Sequence, residues 1–161
     1  MDYIDHVLLG LIQTNGRGSY ASYGKRVGLS ATAMHDRLKK LAQAGVLKHW
    51  SAVVSAIAAG YPVLAFIRIK TDLPSSARAL AGAVAALPEV LEYHHTGSEW
   101  NCLIKVRAVS SEALDTLVEE QIAPFPGIVR LQVERVTASS KESHILPTLP
   151  TAATIGKRKS R

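Results

Sequence analysis

Between Lys25 and Lys40 the chain gathers side chains suited to a polyanion. Lys25, Arg26, Lys39 and Lys40 can neutralise phosphates, while Ala31, Thr32, His35 and Asp36 are of the sizes and polarities that read base edges. Arg37 has two roles open to it, a phosphate contact or an ion pair that locks the fold. These types point to recognition of double-stranded DNA. A second group, Gly97, Ser98, Glu99 and Asn101, offers polar groups in a short turn that can meet both charges of a zwitterion. His94-His95 does not make a metal site, because adjacent residues on a strand face opposite ways. Cys102 lies in an apolar alternation and reads as a core thiol, so no catalytic residue, metal or cofactor is assigned.

The first group needs a scaffold, and residues 22–47 supply one. A short helix from about Ala21 to Val27 meets a turn at Gly28, and Ser30 caps the helix that follows, which Gly45 ends. Met34, Leu38 and Leu41 recur at i, i+4 and i+7, so one stripe of that helix faces a core and the polar, basic side faces out. Gly24 costs the short helix about 1 kcal/mol relative to alanine. An earlier helix, Asp2 to Gln13, carries Ile4, Leu8, Leu11 and Ile12 on one side and stops at Asn15-Gly16. Val46 to Val54 is expected to be extended.

From Tyr61 the period changes. Val63, Ala65, Ile67 and Ile69 alternate with Leu64, Phe66, Arg68 and Lys70. A helix opens at Asp72-Leu73-Pro74, with Leu80, Val84 and Leu87 inward. Strands follow over Val90–Thr96 and Asn101–Arg107. Ser111 is expected to cap a helix buried through Leu114, Leu117, Val118 and Ile122, and a last strand runs from Ile128 to Val136 with Val129, Leu131 and Val133 on one face. The order β-α-β-β-α-β is the ferredoxin-like split motif. Its second sheet face carries Leu64, Phe66 and Leu103, which predicts a partner sheet and hence a dimer.

Charge supports this division. Residues 1–50 hold seven cations against three aspartates, a surplus of four. Lys157, Arg158, Lys159 and Arg161 add four more, so the total of +6 leaves the body between them at −2. Basic ends favour a polyanion. One cysteine excludes an intrachain disulfide, no apolar run has the length of a membrane span, and Met-Asp-Tyr-Ile-Asp lacks the features of a signal peptide. A cytoplasmic location is expected.

A basic helix-turn-helix followed by βαββαβ resembles the Lrp/AsnC (feast/famine) regulators. The stretches that carry the likeness are 4–17, 27–47, and Thr96-Gly97 before Cys102–Val106. The resemblance covers about residues 2–147. It implies an α+β chain with a three-helix, winged-type DNA-binding domain and a ferredoxin-like RAM domain. It also implies a homodimer, often assembled to an octamer, with an amino-acid effector bound between subunits near the turn after the second strand. Where the family usually has an apolar residue and a leucine, this chain has Gly18 and Tyr23, which predicts a looser second helix. The turn at 97–101 is one residue longer than usual and carries Asn101 where aspartate is common.

The expected organisation is a DNA-binding domain over 1–50, a linker over 51–60, a dimerisation and effector domain over 61–147, and a disordered basic tail over 148–161. The expected function is that of a sequence-specific DNA-binding transcription regulator, not an enzyme. The alternative is a haem-pathway decarboxylase of the siroheme type, which shares the architecture.

Overall fold

The structure, a computed structural model, describes residues 1–148. The basic tail expected over 148–161 therefore lies outside the described residues, Thr148 apart. The chain divides into two compact units. One is Met1–Ala52 together with residues 141–148; the other is Val53–Ser140. Residues 141–147, which the sequence pattern places with the second domain, group with the first.

In the first unit α1 (Tyr3–Thr14), α2 (Tyr20–Val27) and α3 (Ala31–Gln43) close on Leu8, Ile12, Tyr23, Met34, Leu38 and Leu41. Each helix starts on a side-chain cap. Asp2 and Asp5 form a reciprocal capping box, Ser19 Oγ accepts from Ser22 N, and Ser30 Oγ accepts from Ala33 N at 3.1 Å. Gly28 ends α2 with φ at 73°, a left-handed value that glycine adopts without a Cβ clash.

The expected loosening of α2 does not occur. A Cβ at position 18 would lie 2.4 Å from the Tyr23 ring, so the two departures from the family compensate each other: the absent side chain makes room for the larger one. Tyr23 is only 4% exposed, and its hydroxyl donates to the Asn15 carbonyl. Residues 48–55 take no regular secondary structure.

The second unit is one antiparallel sheet in the order β2-β3-β1-β4, formed by β1 (Val63–Thr71), β2 (Val90–His95), β3 (Cys102–Ala108) and β4 (Ile128–Arg135). Its helices are α4 (Pro74–Val84) and α5 (Ser111–Thr116), the latter running on into a π-helical turn, Leu117–Ile122. Ala65, Ile67 and Ile69 of β1 and Cys102, Ile104 and Val106 of β3 are fully buried with Leu80, Leu114 and Ile122. Among the described residues no helix is long and apolar enough to cross a membrane.

Three local expectations are corrected. Ser110, not Ser111, caps α5, its Oγ accepting from Ala113 N at 3.1 Å. Pairing of β1 with β4 passes from Lys70↔Arg130 to Thr71↔Ile128, so Val129 is bulged out and 56% exposed, and Ile128 packs on the core instead. A similar shift lies between Val90 and Glu92 and leaves Leu91 exposed. Finally, Leu64 is already buried within one chain, its carbonyl accepting from Val136 N as the chain continues past β4, while Phe66 and Leu103 are half-buried.

Gly24 gives a test in which two effects have opposite signs. Its carbonyl accepts from Leu29 N at 2.9 Å, and a Cβ there would lie 2.3 Å from the Leu29 carbonyl oxygen. Helix propensity alone favours Gly24→Ala by about 1 kcal/mol. The backbone collision outweighs that gain, so the variant should melt at a lower temperature than the native chain in a thermal unfolding experiment. A raised melting temperature would show that the close approach does not control this turn.

Candidate nucleic-acid interface and effector turn

The face expected to meet DNA is an exposed one. Ser30, Ala31, Thr32, His35, Asp36, Lys39 and Lys40 are all solvent-accessible, while Met34, Leu38 and Leu41 on the other side of α3 are buried. Lys25 and Arg26 stand exposed in the last turn of α2, where they also suit the negative end of that helix. Among the described residues Lys25, Arg26, Lys39 and Lys40 have no acidic partner, so their charge is available to an external anion. Ser30 serves the interface indirectly, by holding the start of α3. The His35 ring meets Tyr20 edge-on at 5.4 Å, and its Nδ1 lies 3.4 Å from Asp36 Oδ1.

Arg37 takes the structural one of its two roles. Its Nη1 bonds Asp2 Oδ2 at 2.8 Å and Asp5 Oδ1 at 2.7 Å, tying α3 to the capping box of α1. The Asp5 backbone N–H and then this guanidinium hold the Asp2 carboxyl below its ordinary range. A carboxyl lowered on folding stabilises above its unfolded pKa, and that contribution fades as pH falls through the folded one.

In the second unit the turn at 97–101 joins β2 to β3. Gly97, Ser98 and Glu99 are exposed, and Ser98 Oγ donates to the Trp100 carbonyl at 2.9 Å. Glu99 is already engaged. Lys70 Nζ and Arg130 Nη1 donate to its Oε1 at 3.2 and 3.1 Å, and the Arg130 guanidinium lies 5.2 Å from the centre of the Trp100 ring. Asn101 is engaged too: its Oδ1 accepts from Thr71 N at 2.9 Å and its Nδ2 donates to Thr71 Oγ1 at 2.8 Å. The four residues named from sequence thus share one turn. Two cations from β1 and β4, Lys70 and Arg130, join them; sequence reasoning missed both, because only strand pairing brings them there.

His94 and His95 diverge as expected for a strand. His94 Nε2 lies 3.1 Å from Glu92 Oε2, whereas the His95 ring meets Tyr93 at 5.1 Å. Cys102 is fully buried and accepts from the Tyr93 hydroxyl at 2.9 Å; burial and this thiol push the Tyr93 ionisation well above its usual value.

Comparison with known proteins agrees with this layout. Residues 1–42 match the AsnC-type helix-turn-helix domain and residues 64–146 match the Lrp/AsnC ligand binding domain. The chain is 30% identical over 147 residues to the HTH-type transcriptional regulator FL11 of Pyrococcus abyssi, covering 91% of this chain and 96% of that one. Among solved structures, a transcriptional regulator from Neisseria meningitidis in complex with L-Met superposes with a TM-score of 0.85 at 26% identity, covering 91% of this chain and 96% of that one. The AsnC protein of E. coli superposes with a TM-score of 0.83 at 27% identity, covering 90% and 97%. The decarboxylase alternative finds no support among these relatives.

Asn101 yields the prediction for this region. Thr71 is only 5% exposed, so Asn101→Ala leaves its N–H without an acceptor. The expected loss is about 1–3 kcal/mol by denaturant unfolding. Asn101→Asp keeps the acceptor and should lose less; equal losses would mean that the hydrogen bond to Thr71 N is not what holds the turn.

Proposed function

The chain belongs to the Lrp/AsnC family of transcription regulators, and we propose that it binds specific DNA sites through α3 as an oligomer tuned by an amino acid. One observation carries the DNA reading: α3 is buried on its Met34-Leu38-Leu41 side and, with the end of α2, presents on the other four exposed cations that have no acidic partner among the described residues. Thr32, His35, Asp36 and Ala31 lie in its first turns, where a recognition helix touches bases. Lys25, Arg26, Lys39 and Lys40 position it on phosphates. Arg37 contributes by holding α3 to α1.

The oligomer is proposed to be a dimer through the open sheet face, where Phe66 and Leu103 remain half-exposed, with assembly to an octamer as a further step. The compartment proposed is the cytoplasm. A dimer presents two copies of α3, so its duplex site should be pseudopalindromic, with half-sites about one helical turn, or a multiple of it, apart.

The effector proposal centres on the 97–101 turn. Glu99 between Lys70 and Arg130 gives that turn both signs of charge, so a zwitterion can exchange partners with it: carboxylate to the two cations or the turn amides, ammonium to Glu99. The L-Met bound to the Neisseria regulator supports the ligand class.

Two experiments test the proposal. In gel shifts across a salt series, Lys39→Ala and Lys40→Ala should each weaken binding to every duplex and lower the salt slope by about 1, whereas Thr32→Ala and His35→Ala should change sequence preference. A native chain without salt-dependent affinity for any duplex would refute the DNA reading. For the effector, a thermal-shift screen of the common amino acids should find one that stabilises the native chain. Glu99→Gln should then weaken it by about 1.5–3 kcal/mol, the range for a hydrogen bond to a charged group. An equal response in both proteins would place the site elsewhere.

A further inference from the structure

The turn at 97–101 faces more positive charge than a neutral zwitterion can use. Lys70 of β1 and Arg130 of β4 stand directly opposite each other, on the last regular rung before the pairing shifts to Thr71↔Ile128. Like charges opposed in this way destabilise a sheet. The bulge at Val129 lies next to them, and bulges re-aim the side chains around a site. One carboxylate oxygen answers both cations: Lys70 Nζ and Arg130 Nη1 lie 3.2 and 3.1 Å from Glu99 Oε1. Among the described residues neither cation has another acidic partner. The cluster therefore keeps a surplus positive charge, within a body whose sum is −2.

All three charges are open to solvent, and the Trp100 ring supports the Arg130 guanidinium 5.2 Å from its centre. Asn101 adds no charge and is committed to Thr71, so Glu99 is the one acid of the turn. Two cations and one carboxylate are the charge image of a molecule with two carboxylates and one ammonium. A neutral amino acid brings a single carboxylate. Once its ammonium draws Glu99 away, one member of the Lys70–Arg130 rung is left without a counter-ion. A second carboxylate removes that deficit through bonds that are charge-assisted.

We propose that the effector turn selects an acidic amino acid, aspartate or glutamate, with Lys70 and Arg130 each taking one carboxylate and Glu99 the ammonium. The proposal rests on the effector reading above and names the ligand class of that site. Paired Cα atoms on neighbouring strands stand about 4.5–5.5 Å apart. Both cationic side chains are long, so either length of acidic side chain is within their reach.

Isothermal titration calorimetry on the full chain tests this with glutamate, glutamine, aspartate and asparagine, and with glutarate as a dicarboxylate that lacks the ammonium. Each acid should bind at least about tenfold more tightly than its amide, the worth of one hydrogen bond to a charged group. Glutarate should bind at least about tenfold more weakly than glutamate for the same reason. Lys70→Gln and Arg130→Gln should each bring glutamate and glutamine to similar affinity. Arg135→Gln removes the same charge from β4, where Arg135 pairs with Asp115, and should leave the preference intact.

Amides that bind as tightly as the acids would overturn the proposal and keep the effector reading. So would binding of other amino acids but neither acid. An acid preference that survives in Lys70→Gln and Arg130→Gln, or is lost equally in Arg135→Gln, would also overturn it, since this rung would not be the cause. Glutarate as tight as glutamate would remove the ammonium and the amino-acid class with it. No binding of any amino acid would refute the effector reading and the proposal together.

Discussion

The DNA-binding unit depends on the close approach of α2 to the turn that precedes α3. The Gly24 carbonyl takes the Leu29 N–H, and no Cβ at position 24 could share that space. With Gly28 left-handed just beyond, the chain reverses within a few residues and Ser30 starts α3 at once. That geometry sends Met34, with its side chain fully buried, into the core beside Leu8, and so leaves Thr32, His35, Lys39 and Lys40 outward. The Arg37 ion pairs with Asp2 and Asp5 then fix α3 against the start of α1. Exposed pairs of this kind contribute little each, about 0–1 kcal/mol. Their value here is positional, because they hold a charged helix whose other cations, Lys39 and Lys40, have no acidic partner among the described residues.

The second unit follows another logic. Its helices cover one sheet face and bury Ala65, Ile67, Ile69, Ile104 and Val106 completely. The other face mixes Phe66 and Leu103 with charge, including a Lys105–Glu92 pair at 3.3 Å and an Arg68–Glu134 pair at 3.2 Å. Such a face suits a partner that is apolar in part and charged in part. The turn at 97–101 sits at the end of β3 where β1 and β4 bring Lys70 and Arg130. Its polar groups are satisfied within the chain by weak, exposed interactions, which a ligand can replace at modest cost. Asn101 is the exception, being committed to the buried Thr71.

Local signals were legible in the sequence wherever one residue decides the geometry. Ser30 as cap, Gly28 as the turn, Gly45 as the stop after α3, and the Met34-Leu38-Leu41 stripe all stand as read. The element order β-α-β-β-α-β was legible because the periods of Val63–Lys70 and Cys102–Val106 are clean. Legibility ended where two distant residues act jointly. Gly18 and Tyr23 read separately as defects, yet they fit one another. Val129 read as an inward residue because alternation assumes an unbroken ladder, and a bulge reverses it. Ser110 and Ser111 are equivalent caps in sequence, and only backbone geometry separates them. The Gln13–Leu146 pair spans most of the chain and leaves no local pattern at all.

The central claim is that α3 enters the major groove with its first turns against the bases. Dimethyl sulfate protection on a duplex selected by the native chain addresses this directly, since the reagent marks guanine N7 in the major groove. The account predicts two clusters of N7 protection, about one helical turn or a multiple of it apart. It also predicts that Thr32→Ala or His35→Ala changes the protected guanines. Protection confined to the sugar-phosphate backbone, with every N7 still reactive, would contradict it.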